Sequence, residues 1–90
     1  MEKVSLTDHV ILGVHITDRL KKVPEVQALF STYGNNIKTR LGLHEVELAS
    51  SPNGLVVLEM VGDARIADDL QAKLSVIEGI EVQRMVFRHD

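Results

Sequence analysis

No cysteine occurs anywhere in the chain, and tryptophan is absent as well. The first absence excludes disulfide staples, thiolate metal sites and cysteine nucleophiles, and removes any pointer to an oxidising compartment. Aromatic residues are scarce, at 3% of the total: Phe30, Tyr33 and Phe87. No apolar run approaches the roughly 18 residues of a membrane span. The stretch from Met1 to Asp8 lacks a basic segment followed by a long apolar one. The sequence therefore predicts a soluble cytoplasmic protein with no membrane partner. Positive charge is also short, because ten Lys and Arg against thirteen Asp and Glu leave a net charge of −3. Binding to nucleic acid needs cations that displace counterions from phosphate, so no direct nucleic-acid partner is expected.

What is present describes a folded chain. Apolar residues make up 44% and charged residues 26%, close to an average globular composition and far from that of disordered segments. Ninety residues fall below the usual domain size of about 100–150, which predicts one domain spanning residues 1–90. A core this small, poor in aromatics, gains from association, so a homo-oligomer is expected, a dimer or a tetramer.

The patterning alternates between two periods. Val10, Leu12, Val14 and Ile16 share one parity in a β-branched run from His9 to Thr17, which a strand turns into one face. Pro24 has no N–H to donate and fits where a helix is starting, which predicts a helix from near Lys22. Val23, Val26, Leu29, Phe30 and Tyr33 give it an apolar stripe, and Gly34 stands where a left-handed cap would end it. Ile37 to Leu48 alternates as a long strand, with Ile37, Thr39, Leu41 and Leu43 on one side. Ala49 to Gly54 is a concentrated turn signal before the apolar run Leu55 to Val61. Gly62-Asp63 offers a cap, and Ile66, Ala67, Leu70, Leu74 and Ile77 form a second helical stripe ended by Gly79. Ile80 to Arg88 alternates as a last strand, with Ile80, Val82 and Val86 on one face and Met85 and Phe87 on the other.

This β-α-β-β-α-β order predicts an α+β ferredoxin-like sandwich, an antiparallel sheet of order 4-1-3-2 with both helices on one face. The first and third strands are the apolar ones and belong in the middle. The second and fourth carry the charges of edge strands, among them Lys38, Arg40, Glu81 and Arg84. The face without helices would show Ile11, Gly13, alternate residues of the third strand, Met85 and Phe87, too apolar a surface to stay wet in a chain of this size. That face is the candidate interface.

Four segments together resemble a known family: Ile11 to Arg19, Tyr33-Gly34, Ile37 to Glu45 and Ile77 to Val82. It is the regulator family of iron-only hydrogenase systems, ACT-like in fold and distantly related in structure to the C-terminal sensing domain of nickel-responsive repressors. The similarity covers nearly the whole chain, and none of its motifs is catalytic. The resemblance implies a regulatory role, no enzymatic activity and no resident cofactor. Domains of this kind bind small effectors, or a partner, at subunit interfaces near the first strand-to-helix turn and a neighbour's second strand. Here those positions are Thr17, Asp18 and Arg19 with Arg40 and Gly42. The ligands of the nickel repressors include cysteine, so their metal chemistry does not transfer.

Each candidate also has a plainer reading. Asp18-Arg19 can grip an amine or a carboxylate, or serve as a helix cap and a solvated charge. Arg40 can clamp a carboxylate or phosphate bidentately beside a glycine that admits a close backbone, or Gly42 can mark an edge-strand bulge. Four histidines invite a metal reading. His9 and His15 lie about 20 Å apart along a strand and cannot share an ion, whereas the expected sheet order sets the start of the first strand beside the end of the fourth, which makes His9 with His89 the alternative metal pair. Asp68-Asp69, at adjacent helical positions, cannot share a proton and reads as a solvated face. Two rivals to regulation remain: a small dimeric ferredoxin-like enzyme with His15 or His44 as general base, and direct DNA repression, for which no helix-turn-helix or basic arm is visible.

Overall fold

The computed structural model describes residues 7–17, 19–43 and 54–88, and for residues 19–23 and 43 it describes the backbone alone. Four strands and two helices follow one another in the predicted order: β1 (His9–Ile16), α1 (Arg19–Thr32), β2 (Ile37–Leu43), β3 (Gly54–Met60), α2 (Ala64–Ser75) and β4 (Ile80–Phe87). A short 3-10 turn, Gly34–Asn36, leads into β2. The sheet is antiparallel and ordered β2-β3-β1-β4, the expected 4-1-3-2 arrangement seen from the other edge. The predicted extension of β2 to Leu48 and the turn at residues 49–53 lie outside the described residues.

The two faces of the sheet follow from parity. Val10, Leu12, Val14 and Ile16 of β1 and Leu58 and Met60 of β3 are buried under the helices. They meet Val26, Phe30 and Tyr33 from α1 and Ala64, Ala67, Leu70 and Leu74 from α2. Leu12, Val14, Leu58, Leu70 and Leu74 are fully inaccessible. Each such side chain contributes on the order of 1.5–3 kcal/mol through the apolar area it removes from water. The central strands are β1 and β3, as their composition requires.

The structure corrects four details. First, α1 begins at Arg19 rather than near Lys22, so Pro24 lies inside the helix, just past its first turn. That early in a helix, proline removes only a single backbone hydrogen bond, and packing of the Val26 and Phe30 face overrides the loss. Second, Gly34 does not take a left-handed cap. The left-handed glycines are Gly62 (φ 85°) and Gly79 (φ 87°), while α1 ends through the Tyr33 N–H donating to the Leu29 carbonyl and the chain tightens into the 3-10 turn. Third, a register shift between Ile37 and Thr39 breaks the alternation of β2. Ile37 packs on the core, whereas Thr39 and Leu41 emerge on the opposite face with their partners Glu59 and Val57. The bulge thus sits at the start of β2 and not at Gly42.

The fourth correction concerns Asp68 and Asp69, which flank the buried stripe of α2 and look to different neighbours. Asp68 pairs with Arg84 of β4 at 2.6 Å, and the same guanidinium donates to Gln71 at 2.6 Å. Asp69 accepts the hydroxyl of Tyr33 on α1 and pairs with Lys73 at 3.3 Å. The pair is therefore a clasp between α2, β4 and α1 rather than a merely solvated face. The cap of α2 forms as predicted, with the Asp63 carboxylate accepting the Arg65 N–H at 2.9 Å.

Candidate functional site

The β1–α1 turn and the far end of β2 occupy the same end of the sheet. Thr17 directly follows β1, is exposed, and donates its N–H to the carbonyl of Gly79 at 2.8 Å. That bond ties the turn to the start of β4. Arg19 supplies the first residue of α1. Asp18, and the side chain of Arg19, lie outside the described residues, so neither the cap nor the gripping role predicted for them is observed. Gly42 faces Val56 across the β2–β3 ladder, and Val56 faces Val14 of β1. Strand β3 therefore separates the two halves of the predicted site, by about 10 Å across two strand spacings. One copy of the chain brings Thr17 and Gly42 toward a common end, while Arg40, level with Leu58 and Leu12, lies midway along the sheet, and no one pocket joins them.

Arg40 is the residue whose surroundings are most informative. Its register partner is Leu58, so its side chain leaves the sheet on the helix-bearing side. There the guanidinium stacks over the ring of Phe30, 4.8 Å from its centroid. Stacking of this kind holds the planar group still and is worth roughly 0.5–1 kcal/mol at an exposed site. No carboxylate among the described residues pairs with Arg40, so its donors point outward from an exposed edge strand. Beside it, a Cβ added to Gly42 would meet nothing within 4 Å. Such an arrangement can receive a carboxylate or phosphate along the fork of the guanidinium.

A second polar row crosses the opposite face and was not anticipated from sequence. Glu59 accepts the Thr39 hydroxyl at 2.8 Å through one oxygen and meets His9 Nε2 at 3.0 Å through the other. The His9 ring in turn lies 6.3 Å from that of Phe87. The signal was present in the register: once Ile11 stands opposite Glu59, His9 is the diagonal neighbour on the same face. His15 is exposed on that face at the other end of β1. His44 and His89 lie outside the described residues, so the pairing of His9 with His89 is not tested. Among the described residues, no group of three His, Cys, Asp or Glu side chains could hold a metal ion, and no helix is long and apolar enough to cross a membrane.

Several carboxyls have titration shifted by identifiable neighbours. The Thr39 hydroxyl, with smaller help from Lys38 and His9, lowers that of Glu59. Arg65 lowers Asp63, and the Tyr33 hydroxyl followed by Lys73 lowers Asp69. A carboxyl lowered on folding contributes stability that is fully present above its ordinary value near 4 and is lost as pH falls through the folded value. Stability should therefore show no loss from these groups down to about pH 4.5 and decline below it. Chemical denaturation at a series of pH values should show a shallower acid decline in Asp69→Asn than in the unmodified chain. Equal declines would assign the effect elsewhere.

No family model matches this chain, and no curated protein matches it. Among solved structures, uncharacterized protein TM1266 from Thermotoga maritima is similar, with a TM-score of 0.77 and 24% sequence identity over 89% of this chain and 96% of that one. At that identity the likeness establishes the fold: a ferredoxin-like, ACT-like α+β sandwich.

Proposed function

We propose that this chain is a cytoplasmic regulatory domain that assembles with copies of itself. In this reading, a small anionic effector, or an acidic segment of a partner protein, is held between the β1–α1 turn of one copy and the β2 edge of another. Arg40 is the observation that supports it: a guanidinium steadied on Phe30, exposed, and next to the open space at Gly42. Thr17 and, at the helix start, Asp18 and Arg19 complete the site from the neighbouring copy. That division suits the separation of the two halves within one chain. The sequence resemblance to regulators of iron-only hydrogenase systems supplies the word regulatory. The reading assigns no catalytic residue and no resident cofactor, and the net charge of −3 argues against nucleic acid as the partner.

A thermal-shift screen with amino acids, dicarboxylates and nucleotides tests it. A ligand present at a hundredfold excess over its Kd stabilises the native state by about 2.7 kcal/mol, a rise in Tm on the order of 10 °C for a domain this small. Arg40→Ala should abolish that rise while lowering the unliganded Tm only slightly, through the lost stacking on Phe30. A hit that shifts the Arg40→Ala protein equally would place the ligand elsewhere.

A further inference from the structure

The face of the sheet away from the helices has a hollow that no described residue of the chain fills. Gly13 lies in the interior of the central strand β1, with Val57 opposite on one side and Gln83 on the other. Glycine inside a strand weakens it, and commonly marks a place where another backbone or a ligand comes close. Nothing among the described residues makes that approach. The nearest atom to an added Cβ would be the Gln83 carbonyl oxygen at 3.9 Å, an ordinary contact, and the φ of Gly13 is not positive. Around it stand Ile11, Val57 and the exposed side chains of Leu41 (53%), Leu55 (37%), Met85 (55%) and Phe87 (48%).

The polar rim narrows the choice of occupant. His9 and Glu59 stand at one end of the face, and His15 and Glu81, register partners on β1 and β4, at the other. Apart from the bulge residue Lys38, whose charge reaches Glu59, none of the described strand positions that alternate onto this face is Lys or Arg, which disfavours nucleic acid and anionic membrane, both of which need cations. A second copy of the same chain meets the requirement. Turned end for end, it lays apolar centre on apolar centre, with the polar rims of the two copies at the ends. Four strands of seven or eight residues span a footprint of roughly 15–20 Å by 25 Å. With the relief of standing side chains, this is of the order of the ~800 Å² per partner that a stable dimer buries.

We infer that two copies stack sheet against sheet across this face, with an apolar side chain of each copy seated over Gly13 of the other. Met85, unbranched and adaptable, fills such a hollow most readily. The inference rests on the self-assembly in the function proposed above and adds a second surface to it, on the side of the sheet opposite to Arg40.

Sedimentation velocity over a concentration series, on the unmodified chain and on Gly13→Val and Met85→Glu, tests the stack. The unmodified chain should associate at micromolar concentration. Gly13→Val adds a strand-favouring side chain with room for its Cβ, so the folded monomer should be no less stable to urea while its dimer dissociation constant rises at least about tenfold. Met85→Glu should weaken association at least as much, and decides the matter if Gly13→Val does not fold. If the unmodified chain associates and both variants associate equally well, the stack is wrong and assembly runs through an edge strand, leaving the proposed function standing. A chain that stays monomeric at every concentration overturns both, and assigns the face to a segment of the same chain or to another protein.

Discussion

Leu70→Ala should lower the free energy of unfolding by about 3 kcal/mol, within the range of roughly 2–5 kcal/mol for truncating a buried leucine. Leu70 is 0% exposed and lies on the buried stripe of α2, in one cluster with Leu12 and Leu58 of the central strands. Removing its branch forfeits transfer energy and leaves a cavity that a backbone held between helix and sheet fills only in part. In a domain of this size the loss corresponds to a fall in Tm on the order of 15 °C. The internal comparison is Val76, which follows α2 directly and is 84% exposed. Val76→Ala should stay within about 0.5 kcal/mol. Urea denaturation of the three proteins at one concentration measures both effects. A small loss at Leu70 would mean that α2 packs less tightly on the sheet than its burial implies.

Gly79→Ala should cost about 2 kcal/mol, for reasons of backbone conformation rather than volume. Gly79 has φ 87°, a region that disfavours any side chain by roughly 1–2 kcal/mol. An added Cβ would also sit 3.3 Å from the carbonyl oxygen of Thr17, backbone that cannot swing away like a side-chain tip. The carbonyl of Gly79 accepts the Thr17 N–H at 2.8 Å, so the strain falls on the β1–α1 turn. Any ligand found in the thermal-shift screen should bind Gly79→Ala more weakly than the unmodified chain. Gly34→Ala is the control, since a Cβ there meets nothing within 4 Å and the φ is not positive. Its cost should be within about 0.5 kcal/mol. A cost at Gly79 as small as at Gly34 would show that the turn relaxes freely and does not position Thr17.

Two of the acid-sensitive carboxyls, Asp63 and Asp69, act on α2 rather than on the candidate site. Asp63 and Asp69 secure α2 at its start and against α1, and their loss below about pH 4.5 acts on the helix layer. Arg40 and Thr17 depend on the sheet and on α1 through Phe30. Measurements of ligand binding at neutral pH therefore probe the site without disturbing these clasps.

The order of strands and helices, the central place of β1 and β3, and the parity of β1 and β4 were all legible in the sequence. Each rests on a period that a local segment expresses by itself, two for a strand and 3.6 for a helix. Residues such as Val10, Leu12, Val14 and Ile16 can be buried together in only one way. The start of α1 was misjudged because Pro24 is a local signal, overridden by burial of Val26 and Phe30 against the sheet. The bulge at the start of β2 left no mark in composition, since it depends on the pairing with Glu59 and Met60.

Side-chain partners belong wholly to the tertiary structure. The stacking of Arg40 on Phe30, the grip of Asp68 on Arg84, and the row from Thr39 through Glu59 to His9 join residues that lie far apart along the chain. No period predicts such meetings, because they follow from register and crossing geometry. By itself, the sequence determined which residues turn inward. The fold decided which outward residues meet, and it left Gly13 as a hollow at the centre of an apolar face.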